Sequence, residues 1–158
     1  MERKKHTKSI AKNCRFGWRD SRGDSMTVNK TADLAILLYD RYAKAGSEYM
    51  RAVFLDEERN VICKRILGHG DKGTVNFYPS QAVAAAVKAK ASYAVLTHNH
   101  PSGIMAPSDL DIKLTRTMDS EFAKVGVELY DHIIMMPYGG WFSFKSEGIM
   151  PKRVKLRK

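Results

Sequence analysis

THNHPSGIMAPSDLD, residues 97–111, gathers chemistry-bearing side chains at close spacing. On an extended strand, residues i and i+2 share a face, so His98 and His100 can present their imidazoles side by side. Pro101 and Gly103 then turn the chain and deliver Ser108 and Asp111 to the first turn of a helix. Two imidazoles and a carboxylate form a three-ligand set for catalytic zinc, with the fourth position left for water. A purely structural reading stands beside it. Ser-x-x-Asp at a helix start is a capping-box pattern, with Asp111 at the positive end of the dipole. The two readings are compatible, because Ser108 can begin the helix and still aim its hydroxyl at a bound molecule.

Such a centre needs a base for the activated water, and at a water pKa near 7 a carboxylate suffices. The candidates are Glu48, Glu57, Glu58, Glu121 and Glu128. Glu57 and Glu58 fall in an expected hairpin turn, and Glu121 falls on the water face of an expected helix. Glu48 opens a strand just after Gly46 and Ser47, and a carboxylate at a sheet rim can face a neighbouring strand end, so Glu48 is preferred. Asp109 could compete with Asp111 but suits the helix dipole better. Asp131-His132, before an apolar strand, could supply a partner for a zinc-bound imidazole or be a satisfied structural pair. His69 reads as surface, and Trp141, Phe142 and Phe144 as packing residues.

The positioning elements follow from pattern. TADLAILLYDRYAKA (31–45) has helical apolar spacing and stops before Gly46. EYMRAVFLD, DEERN and VICKRIL read as a hairpin. A short strand is expected around Thr74 to Phe77, and then a helix with Pro79 in its first turn and SQAVAAAVKAKA as its body. YAVLTH is a strand running into the loop. From Ser108 onward, Leu110, Leu114, Met118, Phe122 and Val125 form one stripe of an amphipathic helix. VELYDHIIMM and WFSFK complete the set as strands, with PYGG as the turn between them. Strands alternating with helices after an opening hairpin indicate an α/β domain around a mixed sheet flanked by helices.

These residues carry a resemblance. Glu48, His98-Asn99-His100-Pro101-Ser102-Gly103, Ser108 and Asp111 match the JAMM pattern of the JAB/MPN metalloprotease superfamily. HNHPSG followed by LTRTMDSEFAKVGVELYDHIIM resembles the RadC-like branch. The resemblance runs from about residue 30 to 148. It implies a cytidine-deaminase-like α/β fold, with Zn²⁺ held by His98, His100 and Asp111. It also implies Ser108 as oxyanion stabiliser and Glu48 as general acid/base, the expected activity being hydrolysis of peptide or isopeptide amide bonds. Full-length RadC proteins carry an N-terminal helix-hairpin-helix region, and residues 1–28 show no such pattern. The letters HNH do not indicate an HNH nuclease, whose motif residues are spread along a ββα-metal hairpin.

At 158 residues, 44% apolar and 28% charged, the chain has the length and composition of one globular domain. The expected division is a basic arm over 1–28, a domain over 29–149 and a basic tail over 150–158. Nothing approaches the roughly 20 apolar residues of a membrane span, and the N-terminus lacks a signal-peptide core. Cys14 and Cys63 suggest neither a cysteine-rich zinc site nor a disulfide framework, which makes cytoplasmic residence the expectation. Residues 1–19 carry seven Lys/Arg and one Glu, and residues 151–158 carry five Lys/Arg and no acid. Those ends hold +6 and +5 of the net +10, leaving the body at −1. Basic ends can neutralise nucleic-acid phosphates without reading sequence. The alternative function is therefore that of a nucleic-acid-associated accessory protein with a structural or vestigial metal site. Oligomeric state is not written in these letters.

Overall fold

Alternating apolar residues on either side of DEERN form the expected hairpin. In the computed structural model, which describes residues 26–70 and 76–152, β1 (Glu48–Leu55) and β2 (Val61–Gly70) pair antiparallel. Asp56 closes the turn by accepting from the Asn60 backbone N–H at 2.8 Å. On its other edge β1 pairs antiparallel with β3 (Tyr93–Asn99), which sets Met50 opposite His98. β3 runs parallel to β4 (Glu128–Met135), and β5 (Trp141–Ser143) returns antiparallel. The order is β2-β1-β3-β4-β5, a mixed sheet. A parallel pair cannot be joined by a tight turn, and α3 (Asp109–Ala123) supplies the crossover.

Side-chain alternation divides the core between two sheet faces. Val53, Leu55, Val95 and Ile133 meet Leu34, Leu38 and Tyr42 of α1 (Thr31–Tyr42). Met50, Phe54 and Leu96 meet Ala82 and Ala86 of α2 (Pro79–Ala89), together with Met118 and Phe122 of α3. With a period of two, Glu48 and His98 share the second face.

Several boundaries differ from the sequence expectation. α1 stops at Tyr42, not Ala45. β2 continues to Gly70, where Gly68 allows a close approach: a Cβ there would sit 2.4 Å from the Asn76 carbonyl oxygen. Of the strand expected at 74–77, Thr74 and Val75 lie outside the described residues, while Asn76 and Phe77 are not in a strand. The α3 stripe is rotated. Asp111, Thr115, Met118, Asp119 and Phe122 face inward, whereas Leu110 is 67% exposed and Val125 is 40% exposed. Polar residues occupy the inward turn at 111–115 because that turn lies over the histidines of β3.

Of the expected basic arm, residues 1–25 lie outside the described residues; Thr27 bridges Asn60, and Val28 is buried. Of the expected tail, residues 153–158 lie outside them too. Cys63 is disulfide-bonded, contrary to the sequence expectation, and Cys14 lies outside the described residues. Among the described residues no helix is long and apolar enough to cross a membrane.

Candidate metal centre

The end of β3 is held open by its own sequence. Asn99 points away from the two histidines and pins the neighbouring strand. Its side-chain amide donates to the Ser47 carbonyl at 2.9 Å, and its oxygen accepts from the Tyr49 N–H at 2.8 Å. Glu48 lies between those two anchors, so Asn99 fixes Glu48 beside His98 and His100. Past the strand, Gly103 (φ 77°) lets the chain turn back at a left-handed position that favours glycine. The returning loop brings the Ile104 carbonyl to 2.7 Å from His100 Nδ1.

That contact fixes a proton. A carbonyl only accepts, so His100 carries its proton on Nδ1 and, when neutral, presents a lone pair at Nε2. The capping box forms as the sequence suggests. Ser108 Oγ accepts from the Asp111 N–H at 3.2 Å, and the Ser108 N–H donates to Asp111 Oδ2 at 2.8 Å. The same carboxylate reaches both imidazoles. His98 Nε2 lies 3.1 Å from Asp111 Oδ1, His100 Nε2 lies 3.4 Å from Asp111 Oδ2, and the two Nε2 atoms are 3.0 Å apart.

Zinc bonds to nitrogen and oxygen at roughly 2.0–2.2 Å, which puts tetrahedral ligand atoms about 3.3–3.6 Å from one another. The 3.4 Å separation falls within that range, and the 3.0 and 3.1 Å separations lie just short of it. Two imidazole nitrogens and a buried carboxylate at such spacing are electrostatically consistent only with a cation, proton or metal, among them. The residues therefore fit a zinc ion.

Electrostatics agree. Burial opposes charge on Asp111, but the neighbouring imidazoles, His100 first and then His98, outweigh it and hold its carboxyl well below the usual carboxylate range. The hydrogen bond with Asp111 raises the pKa of His100 against the opposing effect of burial.

Glu48 is the second carboxylate, with Oε1 3.9 Å from His100 Nε2. One ligand atom each from Glu48, His98 and His100 lies within 4.8 Å of the others. Asp111 lies nearer to both imidazoles, which leaves Glu48 one step back from them. All of these open on a cavity of about 700 Å³ that Ser108 also lines. Its remaining wall is largely apolar, with Met50, Phe77, Ile104, Leu110 and Leu114.

The RadC-like JAB domain family matches residues 28–149. The chain belongs to that family. It is 32% identical over 115 residues to a UPF0758 protein of Finegoldia magna, covering 71% of this chain and 50% of that one. A UPF0758 protein of Methanococcoides burtonii is 31% identical over 121 residues, covering 77% of this chain and 52% of that one. With a UPF0758 protein of Photobacterium profundum the identity is 34% over 115 residues, with 73% and 49% covered. The chain thus spans about half the length of these curated relatives.

In this RadC-like JAB domain, the five residues singled out by sequence all meet at one cavity. The rejected candidates lie elsewhere: Glu57 and Glu58 are exposed in the hairpin turn, Glu121 pairs with Lys124 at 2.5 Å, and His69 is exposed. Asp109 is exposed in the first turn of α3 and is not among the groups that meet the imidazoles.

The open question at Asp131-His132 resolves into two different roles. His132 is fully buried, with Nε2 2.8 Å from His98 Nδ1 and Nδ1 2.7 Å from Thr115 Oγ1. Burial, then the neighbouring His98, drives its pKa well below the ordinary histidine value. Asp131 is structural: it accepts from Thr31 and Ser143 hydroxyls at 2.6 Å each. Asn99 and Thr115 were missed by sequence reasoning. Asn99 stood between the histidines as a mere spacer, and Thr115 lies off the apolar stripe that defined α3.

Proposed function

We propose that this domain is a zinc-dependent hydrolase of peptide or isopeptide amide bonds. The observation that carries the reading is the approach of His98 Nε2, His100 Nε2 and the Asp111 carboxylate to within 3.0–3.4 Å of one another at a cavity mouth. Three protein ligands leave one coordination position open, as catalytic zinc requires and structural zinc does not. When bound, zinc supplies a Lewis acid for the amide carbonyl and makes water at the site acidic near neutral pH.

The chain's own groups supply the rest. Glu48, one step behind the three ligands, takes the proton from water at Oε1 and returns it to the leaving nitrogen. Ser108 Oγ accepts from the Asp111 N–H, so its own proton remains to donate to the developing oxyanion in the cavity. Met50, Leu110 and Leu114 along the wall suit a chain segment laid beside the centre and exclude water from it.

Metal content measured by mass spectrometry on purified protein, beside His98→Ala, tests the site. About one zinc per chain, lost in the variant, is expected. Glu48→Gln is expected to keep the metal and lose about 10²–10⁴-fold in turnover on a responsive peptide or isopeptide substrate. Undiminished hydrolysis in that variant removes Glu48 from the mechanism.

A second reading, nucleic-acid association, has the charge of residues 1–19 and 151–158 as its motive. Deleting both ends should then abolish binding to duplex DNA or RNA along with its salt dependence. Unchanged affinity after the deletion rules those ends out.

A further inference from the structure

The hydrogen bonds behind His98 have only one consistent direction. Thr115 Oγ1 lies 2.6 Å from the Asp111 carbonyl oxygen and 2.7 Å from His132 Nδ1. The carbonyl can only accept, so the single hydroxyl proton of Thr115 is committed to it. Thr115 can then only accept from His132, which places a proton on His132 Nδ1. His132 is fully buried, its ring stacked on Phe144 at 4.8 Å and 17°; among the described residues its ring nitrogens meet Thr115 and His98 and no carboxylate, and a buried imidazole without a counter-charge is uncharged. Its Nε2 is therefore a lone pair, and His98 Nδ1, 2.8 Å away, must donate to it. His98 is left with its free lone pair at Nε2, directed toward His100 Nε2 and Asp111 Oδ1.

We propose that Thr115 and His132 are positioning residues that set the tautomer of His98 before a metal binds; this rests on reading the centre as a metal site. With the chain reversed, His98 Nε2 would carry the proton and donate it to Asp111 Oδ1, blocking the ligand position. The relay also closes on itself. It starts at the backbone of Asp111 and ends on His98, so one string of hydrogen bonds connects two of the three ligand residues. Groups that orient a ligating histidine typically control 10–100-fold in metal affinity.

The test begins with the metal-free wild-type protein. Long-range ¹⁵N–¹H NMR at pH 8.5 should find both His98 and His132 protonated at Nδ1. In Thr115→Val, which keeps the shape and removes the hydroxyl, His98 should no longer hold a single Nδ1–H form. The zinc dissociation constant should then rise about 10–100-fold, and Thr115→Ser should restore both readouts. Two results overturn the proposal: a wild-type His98 protonated at Nε2, or a Thr115→Val protein with unchanged tautomer and zinc affinity. The wild-type spectrum needs neither a variant nor zinc. A wild-type protein that binds no zinc would overturn the metal reading, while the spectrum judges the tautomer assignment separately.

Discussion

His100 and Asp111 hold one another in their charged forms when no metal is bound, and this has a consequence for stability. The pKa of His100 is raised in the fold, so its contribution is fully present below the unfolded value of about 6.5 and is lost as pH rises through the raised value. The sign is opposite to that of Asp111, whose depressed pKa matters only in acid, below about 3.9. Chelator-treated protein should therefore lose stability as pH rises above about 6.5. Asp111→Asn should flatten that slope, and urea unfolding between pH 6 and 8.5 measures it. A wild-type slope that Asp111→Asn leaves unchanged would mean that the pair does not share a proton. At this scale the sequence was informative. His-x-His on a strand and Ser-x-x-Asp at a helix start have fixed local geometries, and Glu48 stood out by its place at a strand opening. Asn99 and Thr115 were invisible because the contacts that give them their roles reach distant segments, at Ser47 and His132.

Among the elements, β4 decides the most. Opposite Ala94/Val95 of β3 its register shifts, with Ala94 facing Leu129 but Val95 facing Asp131. The extra residue, Tyr130, inverts the alternation beyond it. His132 consequently faces α3 and His98, while Asp131 is turned toward α1. Without the bulge the two would exchange faces, and no pattern within VELYDHIIMM announces it. Asp131 then ties three elements together. Oδ2 accepts from Thr31 at the start of α1 and from Ser143 in β5, and Oδ1 accepts from the His132 and Lys145 N–H groups. Charged acceptors that are buried and fully satisfied are costly to alter. Asp131→Asn turns donors against donors and should destabilise the fold by about 2–4 kcal/mol. Equilibrium denaturation reads this loss, and a change below about 0.5 kcal/mol would show that the network is dispensable.

At the scale of the whole molecule, the three ligand residues come from β3, the position just past its end and α3, and Glu48 from β1, so a bound metal joins separate layers. Zinc that binds the native state and not the unfolded chain should raise stability by about 4 kcal/mol at a thousandfold excess over its dissociation constant. Thermal unfolding with and without zinc should show the rise, and His98→Ala should abolish it. Equal melting temperatures in wild type and variant would leave the centre without a metal.

The sequence by itself determined the α/β class, the order of the elements apart from the strand expected around Thr74 to Phe77, the strand end carrying two histidines and the capped helix that brings a carboxylate. Those features depend on local periodicity and turn chemistry, which neighbouring residues set. The tertiary structure alone decided that β1 lies beside β3, which brings Glu48 next to the imidazoles. It also decided that a bulge turns His132 toward His98, and that α3 rolls Thr115 inward and Leu110 outward. Each of these depends on pairing and packing between segments far apart in the chain. A single strand's period of two cannot reveal which neighbour it will meet, or in which register.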